Sequence, residues 1–258
     1  MKIAVIGTGN MGGALSRAFA KENELILVNR SAEKAAWLAD ELAAAYSEDK
    51  LEAVRQAELV LIAVKPYQTE AVCREISPEL AGKLLVSVAA GITTKQLADW
   101  TGGVCGVVRA MPNTPAAVGE GVTMFSFGEG VSDSDKAAVL GLFSAAGLAE
   151  EIDEAHMDAV AALTGCGPAF VYMFMEAMGD AAVRAGLPRS QSYRLAAQTV
   201  RGSASMLLAS GKHPGELKDA VCSPGGTTIE GVAALEKAGL RSAVMDAIKA
   251  CIDKTKLL

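Results

Sequence analysis

Histidine and tryptophan are scarce in this chain, two of each in 258 residues. Cysteine is limited to Cys73, Cys105, Cys166, Cys222 and Cys251, an odd number with no Cys-x-x-Cys pair. With so few imidazoles and no clustered thiols, neither a zinc site nor a disulfide framework fits, and no metal site is expected. Thiols that stay reduced fit a cytoplasmic protein. Positive charge is also short: 24 Lys and Arg against 30 Asp and Glu leave a net charge of −6, with no basic patch for nucleic acid. No leader precedes the first strand, which begins at residue 2, and this supports the cytoplasmic expectation. Long apolar runs are missing too. The longest charge-free stretch, Ala159 to Met175, has 17 residues and is broken by Gly165-Cys-Gly-Pro168. A membrane span needs about 20. What is abundant is apolar residue in general, 51% of the chain, with a mean hydropathy of +0.28. One large or two ordinary domains of this composition predict a buried helical core and a large subunit interface.

The most informative stretch comes first. Ile3 to Ile6 is a short apolar run suited to a strand buried on both faces. It leads into Gly7-Thr8-Gly9-Asn10-Met11-Gly12, the Gly-x-Gly-x-x-Gly fingerprint of a dinucleotide-binding turn. Gly7 suits the tight turn, Gly9 lets a pyrophosphate approach the backbone, and Gly12 lets helix and strand pack closely. A helix over about Asn10 to Lys21 would aim its free N–H groups at the phosphates. A second strand, Leu25 to Val28, completes a βαβ unit of Rossmann type.

That second strand ends in Asn29-Arg30-Ser31. A site for NAD usually places an acidic residue about 20 positions beyond the glycines, to bind the ribose 2′-hydroxyl. Asn29 stands there instead, and Arg30 offers a forked cation suited to a 2′-phosphate. NADPH is therefore expected, with NADH a weaker alternative. Ser31 would cap the next helix, which runs to about Ala45 and is followed by a loop. Leu59 to Val64 is another doubly buried strand, leading into Ala63-Val64-Lys65-Pro66, where the proline keeps Lys65 out of a helix. Further strands over Leu84–Val88 and Val104–Arg109 run into Ala89-Ala90-Gly91 and Met111-Pro-Asn113-Thr-Pro115. Ligands of open parallel sheets bind beyond the carboxyl ends of the strands. These loops, Asn113 included, should rim the nicotinamide.

Late strands at Val122–Phe127 and Leu148–Ile152 flank a helix over Ser134–Ala145, capped by Ser132 or Asp133. Strand signals then end. The expected organisation is a doubly wound dinucleotide-binding domain over 1–152 and an all-helical domain over 153–258. In the second, Pro168 opens a helix that is apolar nearly all round (Phe170 to Met175, Met178) and stops before Gly186. Glu176, Asp180 and Arg184 on one face read as an ion stripe, with catalytic carboxylates as the alternative. A second break, Ser223-Pro-Gly225-Gly226-Thr227-Thr228, gathers backbone donors, hydroxyls and a helix dipole without any cation. That suits one small carboxylate.

Taken together, Gly7–Gly12, Ala63–Pro66, Met111–Pro115, Asp158–Pro168, Leu217-Lys-Asp219 and Ser223–Ile229 resemble the pyrroline-5-carboxylate reductases. One departure is Thr164-Gly-Cys166-Gly-Pro168, where that family usually has Ser-Gly-Ser. The resemblance implies the proline-forming reduction of a cyclic imine by NADPH or NADH. It also implies a homodimer with intertwined helical domains that can assemble into larger rings, and a substrate carboxylate at Ser223–Thr228. On that basis the N–H groups of Gly225, Gly226 and Thr227 would hold the carboxylate and Ser223 would support the loop. Thr228 would be the catalytic residue, orienting the imine nitrogen. An iminium carbon accepts hydride without a strong acid, and no candidate loop contains histidine. The β-hydroxyacid dehydrogenases are the alternative enzyme class, but their lysine and asparagine would fall at Val171 and Met175. A non-catalytic NADP-binding sensor is the alternative outside enzymes, and it would need no carboxylate loop.

Overall fold

Apolar residues at consecutive positions of Lys2–Ile6 point alternately to opposite sides, and both sides are buried. In the computed structural model, which describes residues 1–255, this run is β1. It is followed by α1 (Asn10–Phe19), β2 (Glu24–Val28), α2 (Ala32–Leu42), β3 (Ala45–Tyr46), α3 (Lys50–Gln56) and β4 (Leu59–Ile62). Then come α4 (Pro66–Ile76), β5 (Leu84–Ser87), α5 (Thr94–Thr101), β6 (Gly106–Met111), β7 (Gly121–Phe127), α6 (Asp133–Ser144) and β8 (Gly147–Glu151). Ile3, Val5, Leu27, Leu59 and Leu61 pack with α1, α2 and α6 on one face of the sheet. Ala4, Ile6, Ile26, Val60 and Ile62 pack with α3, α4 and α5 on the other. Both layers follow from the period-two alternation of strands without polar positions.

The strand order is β3-β2-β1-β4-β5-β6-β7-β8. β1 pairs in parallel with β2 on one side and β4 on the other, so the winding reverses between β1 and β4. A ligand crevice opens at such a reversal, beyond the carboxyl ends of the strands. β7 runs antiparallel to β6. The link from Pro112 to Glu120 is shorter than the dozen or so residues a parallel crossover needs, so the chain turns straight back.

One local expectation is corrected. The stretch between α2 and β4 is β3 and α3 rather than a loop. Asp49 caps α3 by accepting hydrogen bonds from the N–H groups of Leu51 (2.9 Å) and Glu52 (3.2 Å). Only Ala53 and Val54 of that helix are buried, which left its apolar period too weak to see. Lys65 stays out of a helix as expected, extended before Pro66, which opens α4 as its first residue. Both facts follow from proline chemistry: it disfavours helix in the residue before it and fits the first helical position.

After β8 the chain forms α7 (Met157–Val160), a π-helical turn (Ala161–Cys166), α8 (Gly167–Arg184), α9 (Arg189–Ser210), α10 (Pro214–Val221), α11 (Thr227–Lys237) and α12 (Leu240–Thr255). Contacts separate two compact units. One holds Met1–Gly165 with the end of α12, and the other holds Cys166–Cys251. In the second unit Gly179 is the one residue of α8 that is buried among those described, because the Tyr193 ring of α9 lies against it. Asp180 accepts hydrogen bonds from Arg189 (2.5 Å) and from the Tyr193 hydroxyl (3.0 Å). Those bonds, Arg189's foremost, hold its carboxyl below the usual range. The expected stripe with Arg184 is thus replaced by a bridge from α8 to α9.

Gly179→Ala should normally add about 1 kcal/mol of helix propensity. Here the new methyl would enter the anchored Tyr193 ring, and overpacking of this kind costs about 1–3 kcal/mol. A lowered melting temperature is expected. In a Tyr193→Ala background the same change should raise it, and failure of that reversal would refute the packing argument.

Candidate active site

At the winding reversal a groove of about 860 Å3 is lined by Gly7, Gly9, Asn10, Met11, Ala63, Val64, Lys65, Pro66, Ala89 and Ala90. It shares Asn29 and Arg30 with a recess of about 760 Å3 that Thr8, Ser31, Lys34 and Trp37 also line. The two form one elongated cleft of a size suited to a large ligand.

The three glycines can be tested one at a time. Gly7 has φ +103°, and a Cβ there would sit 2.6 Å from the Ala63 carbonyl oxygen. Gly12 faces the carbonyl of Gly7 so closely that any side chain would overlap it. Gly9 is different: a Cβ there would meet nothing within 4 Å. Its missing side chain leaves room on the open side, where a ligand's phosphates would approach. α1 starts at Asn10 with no side chain capping it, so its first N–H groups face that space with the positive end of the dipole. The hydroxyl of Thr8 is buried without a hydrogen-bond partner. A buried hydroxyl left unpaired costs about 1–3 kcal/mol, and a phosphate oxygen would satisfy it. The donor set therefore fits a dinucleotide.

The far end of the cleft carries the cations. Arg17 is held by Glu41 through two bonds of 2.7 and 2.8 Å, and that pairing keeps the Glu41 carboxyl below its usual range. Arg30, Lys34 and Lys65 also line the recess and remain to face a phosphate. Ser31 occupies the N-cap position of α2 without making a cap bond, and it lines the recess. Sequence reasoning missed Glu48, Lys50 and Gln68 in the groove and Trp37 in the recess. Glu48 and Lys50 lie where a loop was expected, while Trp37, 65% exposed, had only its exposure on a helix face as a signal.

Gly91 stands just outside the groove lining. Asn113 is placed elsewhere: it is buried outside the groove lining, and both ends of its amide bond inside the protein. Nδ2 donates to the Thr164 carbonyl (3.0 Å), and Oδ1 accepts from the Val122 N–H (2.8 Å). The physical reason lies four residues on. The Thr164 carbonyl would bond the N–H of residue 168 in an α-helix, but Pro168 has none. Asn113→Asp offers a test, since only a protonated acid can donate to that carbonyl. Burial beside the carbonyl raises the folded pKa above the unfolded value of about 3.9, so the stabilising form persists below that pH and is lost as pH rises. The variant should match the wild type near pH 4 and be about 1–3 kcal/mol less stable near pH 8. A urea-melt difference that does not change with pH would contradict this.

In the helical unit, Ser223–Gly226 forms a turn closed by the Gly226 N–H to the Ser223 carbonyl (3.0 Å). Gly225 has φ +68°, and the Ser223 hydroxyl lies over Gly226. α11 then begins at Thr227, with Gly226 as its N-cap and no side chain capping it. Thr228 is the second helical residue and exposed. Unpaired donors at a helix start, under a dipole and two hydroxyls, are the features of a carboxylate cradle.

Burial pushes Cys73 up to about 12, which removes its thiolate near neutral pH. Cys166 is raised as well, first by burial and then by hydrogen bonding with Cys251. Among the described residues no group of three or more His, Cys, Asp or Glu is arranged to hold a metal ion.

With this geometry in place, comparison with known proteins is direct. Residues 154–258 match the family model for pyrroline-5-carboxylate reductase dimerisation, and residues 2–91 match that for NADP oxidoreductase, coenzyme F420-dependent. The pyrroline-5-carboxylate reductase of Escherichia coli K12 is 43% identical, covering 100% of this chain and 98% of that one. The crystal structure of Plasmodium falciparum pyrroline carboxylate reductase with NADP bound is 35% identical, with a TM-score of 0.89 over 100% and 97% of the two chains. A pyrroline-5-carboxylate reductase structure from Coxiella burnetii is 33% identical, with a TM-score of 0.92 over 98% and 97%.

Proposed function

The chain belongs to the pyrroline-5-carboxylate reductase family, and on that premise we propose how its own residues carry the reaction. The enzyme is an NAD(P)H-dependent oxidoreductase that reduces the C=N bond of 1-pyrroline-5-carboxylate to give proline. When bound, NADPH supplies the hydride that the imine carbon accepts. Gly7–Gly12 and the start of α1 hold its pyrophosphate, with Thr8 donating to a phosphate oxygen. Asn29, Arg30 and Ser31 take the ribose phosphate. Lys65 and Pro66 stand between the two parts of the cleft, and Ala89, Ala90 and Gly91 shape the opposite end.

The observation that carries the substrate reading is the uncapped start of α11 behind the Ser223–Gly226 turn. The N–H groups of Gly225 and Thr227 hold the substrate carboxylate, Gly226 lines the cradle with its own N–H spent on closing the turn onto the Ser223 carbonyl, Ser223 braces the turn, and the Thr228 hydroxyl orients the imine nitrogen. A pre-protonated imine needs orientation more than an acid, which matches a site without histidine. The β-hydroxyacid alternative lacks its lysine and asparagine, since Val171 and Met175 occupy those positions. The test is NADPH oxidation with pyrroline-5-carboxylate beside a β-hydroxyacid in the oxidising direction. Turnover of the imine alone supports the assignment. Activity on the hydroxyacid alone, or NADPH binding without turnover of either, refutes it.

Within this proposal, 1–152 is the NADP(H)-binding domain and 153–258 the substrate and dimerisation domain, working in the cytoplasm. Glu154–Arg184 is long and apolar enough to cross a membrane by length and composition, yet Glu176, Asp180 and Arg184 lie within it. A second copy is the better cover. Among the described residues of α10, α11 and α12 none is buried, and Tyr172, Met173, Leu208 and Met245 are exposed. So much apolar surface in so small a unit marks an interface, and a homodimer through the helical half, able to build larger rings, accounts for it. Sedimentation at sub-micromolar concentration should show the dimer persisting. A stable compact monomer would overturn this.

A further inference from the structure

Glu154 stands outside both the cleft and the carboxylate loop, yet its carboxylate collects three donors from distant parts of the chain. The Thr94 N–H bonds Oε1 at 2.8 Å and the Thr94 hydroxyl bonds Oε2 at 2.7 Å. Arg109 Nη1 reaches Oε1 at 3.3 Å, and its Nη2 lies 3.6 Å from Asp158. Arg109 is buried on β6, so its charge depends on these two carboxylates.

The backbone beneath Glu154 is itself fixed. The Ile152 N–H donates to the Phe125 carbonyl (2.8 Å), and the buried Ser126 hydroxyl donates to the Ile152 carbonyl (2.9 Å). Asp153 accepts from the Ala155 N–H (2.9 Å) and closes the turn. From this footing on β7, Glu154 grips the first residue of α5. The loop from β5 to Thr94 contains Ala89 and Ala90, which line the groove at the end opposite Arg30. If the ribose phosphate sits at Arg30, the nicotinamide lies at that opposite end.

We propose that Glu154 is a positioning residue for the nicotinamide end of the cleft, pinning α5 through Thr94 and so setting the Ala89–Gly91 wall. The inference rests on the reading of the cleft as the NADPH site. α5 already has its own cap, the reciprocal pair of Thr93 and Gln96, so the Glu154 bonds are not needed to start the helix. What they add is a fixed distance from β7 to the groove wall. Small misplacements at such a wall slow hydride transfer, by as much as about 100-fold per ångström.

The test compares Glu154→Ala, Glu154→Gln and Thr94→Val with Thr94→Ser, which keeps the hydroxyl. Three quantities are read: kcat, the isotope effect with NADPH deuterated at the transferred position, and affinity for 2′,5′-ADP, which occupies only the Arg30 end. Glu154→Ala should lower kcat about tenfold and raise the isotope effect, leaving 2′,5′-ADP binding unchanged. Thr94→Val should follow it more weakly, and Thr94→Ser should behave as the wild type. If Glu154→Ala does not fold, Glu154→Gln, which retains an acceptor for the Thr94 N–H, and Thr94→Val carry the same comparison. Folded variants with wild-type kcat and isotope effect would overturn the proposal. So would a parallel loss of kcat and 2′,5′-ADP affinity, the mark of general destabilisation. Failure of the underlying reading looks different, as a wild type that neither binds 2′,5′-ADP nor turns over, and it would take this proposal with it.

Discussion

Replacing Arg30 by alanine should weaken NADPH binding by about 10- to 150-fold and leave NADH binding nearly unchanged. Charge-assisted hydrogen bonds contribute about 1.5–3 kcal/mol each, and about 1.4 kcal/mol corresponds to a factor of ten. A loss of this size requires that no other cation takes over. Arg17 is one rival, its guanidinium engaged by both oxygens of Glu41, and Lys65 is another ammonium in the lining. Lys34 lines the same recess, but as a point charge it lacks the fork that matches a phosphate. The loss should therefore lie towards the lower end if Lys34 shares the phosphate and towards the upper end otherwise. Titration with both cofactors at one ionic strength decides. An equal loss for NADPH and NADH would mean that Arg30 serves the cleft's shape and reads no phosphate.

Thr228→Ala should reduce kcat/KM for the imine by about 10- to 100-fold, equivalent to about 1.4–2.7 kcal/mol. NADPH affinity should not change, because the residue belongs to the carboxylate loop. A helix cap is the obvious competing role for a threonine here, and losing one costs about 1 kcal/mol of stability. The geometry excludes it: Gly226 is the N-cap, and no side chain caps α11. Thr228 is one step inside the helix and exposed, so the alanine variant should melt close to the wild type. Thr228→Ser keeps the hydroxyl and should recover most of the activity. Normal kcat/KM with a lowered melting temperature would reject the orienting role.

The strands of the first unit were legible because they are buried on both faces, and a short uninterrupted apolar run such as Leu59–Ile62 suits little else than a central strand. The glycine fingerprint was legible for a related reason: Gly7 and Gly12 answer to backbone collisions, and Gly9 leaves an open space beside the turn. Short elements were not. β3 pairs only Ala45 and Tyr46 with β2, and α3 buries two residues, so neither imprints a period on the sequence. The direction of β7 was hidden as well, because an alternation of apolar residues does not encode whether its partner runs parallel.

Asn113 shows the limit most clearly. Its place in Met111–Pro115, at the carboxyl end of a strand, marks it as a ligand-facing residue, and the loop is where that reasoning expects it. Its amide instead answers the carbonyl that Pro168 leaves open, 55 positions further along the chain. By itself the sequence determined the doubly wound sheet, the position of the glycine turn, the placing of Arg30 beside it and the break before α11. Each of these rests on local chemistry: burial on two faces, backbone freedom, charge, and an uncapped helix start. Only the tertiary structure decided which polar side chains remain available for a ligand. Glu41 occupies Arg17, Thr164 and Val122 occupy Asn113, and Thr94 and Arg109 occupy Glu154, while Thr8 is left without a partner. Those outcomes depend on which distant groups folding brings within hydrogen-bonding distance, and spacing along the chain carries no record of that.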